Sequence, residues 1–227
     1  MTQNKIKEIL DMLNSLNEYF LSLPDDMLLD IDPRDNESLE QGFRFIKGFN
    51  TNLLQFNESS IKIEEQIKQY FSINPEEDDV EKEDSNESRN SRITKELDKK
   101  TPHTLDESFT YKRPYGFVLG NAAYKGLKTW KNLYIQILKE LELRNRSLFL
   151  QLADENKFIS NRGNPTFSRK PSELRSAQKI SHSFYIEVNL SANQIKENII
   201  EILKHFGINH REMKVYFRED RDAQLNV

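Results

Sequence analysis

The chain has 227 residues, 36% hydrophobic and 31% charged, enough for one sizeable domain or two small ones with a core along only part of the length. It contains no cysteine, which excludes disulfide scaffolds, thiolate zinc sites and cysteine nucleophiles and fits a reducing, cytoplasmic setting. No run of about 18 apolar residues occurs and Met1 to Lys7 is polar, so neither a membrane span nor a signal peptide is expected.

The net charge of −4 is unevenly divided. Residues 1–73 carry 7 basic and 13 acidic side chains, a net −6; residues 74–108 carry 6 and 12, again −6; residues 109–227 carry 20 and 12, a net +8. Such a split is expected when one part of a protein meets a polyanion and another part must not.

From Ile6 to Leu23 the apolar residues Ile6, Ile9, Leu10, Leu13, Leu16, Tyr19, Phe20 and Leu23 recur at steps of three and four, which predicts an amphipathic helix ended by Pro24. An acidic turn containing Pro33 follows. A second helix, capped by Asn36, is predicted to run to about Phe71, roughly 50 Å at 1.5 Å per residue. The two form an all-α helical hairpin over residues 1–73. With a second helix twice as long as the first, the overhang needs a partner, and Phe43, Ile46, Phe49, Leu53, Phe56, Ile63 and Ile67 are the candidate partner-binding residues. They would serve self-association or docking onto another helical protein through coiled-coil packing; the alternative is that the overhang folds onto the C-terminal domain of the same chain.

Residues 74–108 open with a run from Asn74 to Ser88 that is almost devoid of apolar side chains, and the whole segment is expected to be an acidic disordered linker. A sharper reading makes the run from Glu76 to Glu87 an internal mimic of a nucleic-acid backbone. From Phe109 the pattern changes to short strands and two good helices. Tyr115 to Leu119 and Ala122 to Tyr124 read as a hairpin around Gly120-Asn121, and strands are also expected at Leu148 to Leu152, Ser183 to Asn189 and Lys214 to Phe217. Thr129 and Ser191 cap helices, and Gly207 stands where a left-handed cap belongs. The expected class for residues 109–227 is α+β, a small antiparallel sheet with helices.

No catalytic constellation is visible. His103, His182, His205 and His210 are scattered, and the one close pair is five residues apart rather than the four that align two imidazoles on a helix. There is no glycine-rich phosphate loop, and Glu187 lacks the neighbouring acids of a metal-dependent nuclease. A non-catalytic protein without cofactor or metal is expected. A basic stretch remains, in which Arg144, Arg146, Lys157, Arg162, Arg169, Lys170, Arg175 and Lys179 face only Asp154, Glu155 and Glu173. Within it, Asn161-Arg162-Gly163-Asn164-Pro165 forms a glycine-containing turn; arginine can bridge guanine or phosphate and asparagine can pair with adenine. The bland alternative is a solvated surface loop.

The order of strand, helix, asparagine-glycine loop, strand ending in Asn189, capped helix and terminal strand resembles the C-terminal DNA-binding domain of the SeqA replication regulators. The closest stretches are Asn161-Arg162-Gly163-Asn164 and Phe184-Tyr185-Ile186-Glu187-Val188-Asn189-Leu190-Ser191-Ala192-Asn193, within a similarity covering roughly residues 113–217. Arg144 and Arg146 are placed like the arginine pair with which that family reads hemimethylated sites; an extra arginine, Arg162, interrupts the asparagine-glycine-asparagine loop. The resemblance implies a DNA-binding accessory protein that contacts DNA through Arg144, Arg146, Lys157, Asn161, Arg162, Asn164, Arg169, Lys170, Arg175, Lys179 and Asn189. The alternative is a scaffold or adaptor subunit of a larger prokaryotic defence or DNA-processing complex, without direct DNA contact.

Overall fold

The computed structural model describes residues 2–32, 34–71, 86–109, 112–160 and 163–218, and the chain divides into two compact units, residues 1–84 and 85–227. The first unit consists of α1 (Thr2–Asp30) and α2 (Asn36–Phe71). Contrary to expectation, α1 does not stop at Pro24 but contains it. Proline costs the helix one backbone hydrogen bond, yet apolar side chains beyond it have a surface to meet: Met27 and Ile31 line a recess with Gly42 and Phe45 of α2. A side chain at Gly42 would collide with Ile31, so this glycine permits the close approach. Further along, Phe20 meets Phe49 and Phe56 edge-on, at 5.8 and 5.3 Å between ring centroids. Residue 31 therefore lies by 42 and residue 20 by 49 and 56, and the helices run antiparallel.

The turn is held by aspartates rather than by Asn36. Asp35 accepts the Glu37 N–H on its carboxylate at 3.0 Å and the Leu39 N–H on its carbonyl at 3.0 Å, and Asp32 accepts the Arg34 N–H at 2.9 Å. Because α1 passes Pro24, the helices have 29 and 36 residues. The expected twofold difference in length shrinks to seven residues, about 10 Å.

The second unit is mixed α+β. In chain order it holds α3 (Asn86–Leu97), β1 (Pro114–Leu119), β2 (Ala122–Lys125), α4 (Trp130–Arg144), α5 (Arg146–Gln151), β3 (Phe167–Ser168), β4 (Ala177–Ser181), β5 (Phe184–Glu187), α6 (Ala192–His205) and β6 (Met213–Phe217). Instead of one sheet there are two, each antiparallel and three-stranded, ordered β2-β1-β6 and β3-β5-β4. Phe117, Leu119, Val215 and Phe217 of the first sheet share one core with Phe167, Phe184 and Ile186 of the second and with Leu133, Tyr134, Ile137 and Leu138 of α4 and Ile195, Ile199 and Ile202 of α6. The local stop and start signals act as expected. Thr129 caps α4 through the Asn132 N–H at 3.1 Å, Ser191 and Gln194 form a reciprocal capping box on α6, and Gly207 adopts φ +67°.

Two expectations fail here. Leu148 to Leu152 is not a strand but the end of α5 and a following 3-10 turn: Asn145 caps the helix through the Leu148 N–H, and Phe149 and Leu152, three residues apart, both enter the core. Nor is the whole of 74–108 a linker. Ile93 and Leu97 of α3 pack with Ala123 and Tyr216, beside Tyr115 and Val118, on the face of the first sheet that looks away from the main core. Downstream, His103 exchanges two backbone hydrogen bonds with Val215 of β6, at 2.8 and 2.9 Å, and Leu105 and Phe109 join the main core. Few apolar residues suffice because the sheet offers two apolar faces. The remainder of the expected linker, residues 74–85 with most of its acidic run, lies outside the described residues. At the observed boundary the charge division sharpens to 8 basic and 20 acidic residues, net −12, in 1–84, against 25 and 17, net +8, in 85–227.

Candidate nucleic-acid interface

The basic stretch after α4 is largely turned to internal ties. Arg144, in the last turn of α4, donates to Glu140 at 2.9 Å and to the Leu119 carbonyl at 2.5 Å, lying against Gly120 and fastening α4 to the β1–β2 turn. Arg146 is exposed, with Glu142 at 3.8 Å. Arg169 grips Asp154 with both terminal nitrogens, at 2.6 and 2.7 Å; this pairing holds the aspartate below its ordinary pKa and the arginine above its own. Lys170 lies 3.5 Å from Glu173, whose pKa is lowered chiefly by the Ser168 hydroxyl donating at 2.5 Å.

Arg175 belongs to the surroundings of Glu187. This carboxylate is only 3% exposed and accepts the backbone N–H groups of Arg175, Ser176 and Asn189 at 2.8, 3.2 and 2.7 Å, with the Arg175 guanidinium at 3.8 Å. Buried and satisfied by backbone donors, it stitches the end of β5 to the segment before β4 and fixes Asn189 in the process. His182 sits in the β4–β5 turn, at the opposite end of β5 from Glu187. Among the described residues no group of three or more His, Asp or Glu side chains is arranged to hold a metal ion.

Lys157 lies 3.5 Å from Nδ1 of His205 and over the Phe158 ring. Lys179 is exposed on β4, opposite Tyr185. Around the expected recognition loop, Ile159 bridges Pro165, the Ser160 N–H donates to the Asn164 carbonyl at 2.9 Å, and the Asn164 N–H donates to the Ser160 hydroxyl at 3.1 Å. Gly163 supplies the positive φ, +77°, that this tight turn requires. Asn161 and Arg162 lie outside the described residues. The structure therefore binds Arg144, Arg169 and Arg175 into the domain.

On the first unit, Leu53 is buried, Phe49 and Phe56 meet Phe20, and Ile46 and Ile67 are half-buried, so most of the expected partner face serves the contact with α1. Phe43 and Ile63 remain exposed. The single face expected on α1 is really two: Ile6 and Leu10 are buried, whereas Ile9, Met12, Leu16 and Tyr19, at steps of three and four, are exposed, Met12 to 61%. In the second unit the reading of the sequence passed over residues 108–139, where six basic residues stand without one acidic residue. Counting where acids are missing, rather than where bases are dense, is the signal that finds it. Among the described residues no helix is long and apolar enough to cross a membrane. Among known proteins, no family model, no curated protein and no solved structure matches this chain.

Proposed function

We propose that this chain is a non-catalytic DNA-binding accessory protein of the cytoplasm, whose 85–227 unit contacts DNA in the manner that its likeness to the SeqA C-terminal domain implies, and whose paired N-terminal helices self-associate or dock on a partner. The observation that carries this reading is the charge division, −12 in residues 1–84 against +8 in residues 85–227. Phosphate neutralisation releases counterions, so binding of the full-length chain to a labelled DNA duplex, followed by fluorescence anisotropy, is expected to weaken steeply and linearly in log–log form as salt rises. Absence of binding even at about 50 mM salt ends the reading.

A second reading, a scaffold or adaptor subunit of a prokaryotic defence or DNA-processing complex, is favoured by the exposed apolar side chains of the first unit. Phe43, Phe45 and Tyr70, with the α1 stripe, are more apolar surface than a pair of helices needs for itself. It is distinguished by protein association without DNA affinity.

A further inference from the structure

We propose that the exposed row of α1 is an antiparallel dimer seam, covered by the same row of a second copy of this chain; this rests on the self-association half of the reading above and gives it a partner, a direction and a register. Lys5, Ile9, Met12, Leu16, Tyr19 and Leu23 follow one another at spacings of four, three, four, three and four, and Asp26 comes three residues further. That is the 3.5-residue repeat of a helix lying along another helix. It is not the row that meets α2, because there Ile6 and Leu10 are buried while Ile9, Met12 and Leu16 are exposed.

The row is complementary to itself. Its spacing from Lys5 to Leu23 reads the same from either end, so a copy running the other way sets Ile9 opposite the second copy's Tyr19 and Met12 opposite its Leu16. Each contact then occurs twice, as a twofold interface requires. The charges at the two ends choose the direction. Asp26 stands on the helix because α1 continues past Pro24. Parallel copies would bring Lys5 to Lys5 and Asp26 to Asp26. Antiparallel copies lay the Lys5 stem over the second copy's Leu23, one turn from its Asp26, where the ammonium meets a carboxylate. A helix of an unrelated protein has no need of this reversal symmetry.

From Ile9 to Leu23 the row is about 21 Å long, narrow for a stable interface, which buries on the order of 1,200 Å² or more. Residues of α2 widen it. Met27 follows Ile9 by eighteen residues and Ile63 follows Phe45 by eighteen, five full turns in each case, which keeps each pair on one side of its helix. Met27 and Phe45 line one recess, and Phe45 and Ile63 are exposed. These side chains therefore share one face of the hairpin with the α1 row, and two such faces stack as a four-helix bundle.

Because the chain has no cysteine, introduced thiols report the register. Full-length Ile9→Cys, Tyr19→Cys and Ile9→Cys/Tyr19→Cys are oxidised mildly and run on non-reducing gels, with folding checked by circular dichroism. The double variant is expected to be trapped as a dimer and each single variant to stay unbridged, since identical positions lie ten residues apart along the seam, roughly 15 Å, beyond the reach of a disulfide. Single variants that bridge as readily as the double one show parallel pairing and overturn the proposal, while self-association stands. A dimer that none of the three bridges is built elsewhere and overturns the seam. Lys5→Glu is expected to raise the dimer dissociation constant roughly threefold to tenfold and Lys5→Glu/Asp26→Lys to restore it, a test that holds even if the cysteines disturb folding; absence of recovery overturns the antiparallel direction. A wild-type monomer in light scattering removes both the seam and self-association, and leaves DNA binding to its own test.

Discussion

Glu187 and the arginines near it teach how a residue type can point to one role and fill another. A carboxylate in a strand beside a basic loop invites a catalytic or DNA-facing reading, but its oxygens are occupied by three backbone N–H groups. Glu187→Gln keeps the shape while turning an amide donor toward those donors, and leaves the Arg175 cation without its anion. Loss of about 2–4 kcal/mol is expected in urea unfolding. An unchanged midpoint would mean that the carboxylate does not hold the 175–176 segment. Arg144 and Arg169 follow the same logic: a planar guanidinium is matched to carboxylates and carbonyls in fixed geometry, so folded domains often keep arginines for themselves.

At the scale of elements, α3 is the piece whose status changes most. Leu97 is fully buried, and Gly116 allows it to approach the sheet, since a side chain there would strike the Tyr124 carbonyl and crowd Leu97. Leu97→Ala is expected to cost about 3 kcal/mol and to expose α3 to limited proteolysis; cleavage as slow as in wild type would show that α3 is held by something else. What was legible in the sequence was local. Thr129, Ser191 with Gln194, and Gly207 could be read because cap and capped group lie within a few residues of one another. Pro24 misled because its penalty is local while the packing of Met27 and Ile31 that offsets it is tertiary. Leu148 to Leu152 misled because alternating leucines fit a strand as well as a short helix. Ile93 and Leu97 carried no signal until a sheet with two apolar faces was there to receive them. For the candidate site, the bases were legible but their internal partners were not, since Asp154 and Arg169 are fifteen residues apart in sequence and Glu187 reaches back to Arg175.

For the molecule as a whole, the two units carry opposite charge and different kinds of exposed surface. The first exposes apolar residues on both helices, and the stripe of Ile9, Met12, Leu16 and Tyr19 has the spacing of a helix-pairing seam. Light scattering on the full chain is expected to give an oligomer, and Met12→Glu/Leu16→Glu to return it to a monomer. A wild-type monomer would leave docking on a different protein as the role of that stripe. The sheet edges have a further consequence. One flank of β6 is already occupied by His103, but β4 ends its sheet with Lys179 at its middle. Another strand adding to that flank would have to strip water from an ammonium group. Lys179 would then act as a guard against strand-by-strand growth of aggregates, and its charge would matter most in a crowded solution of identical chains.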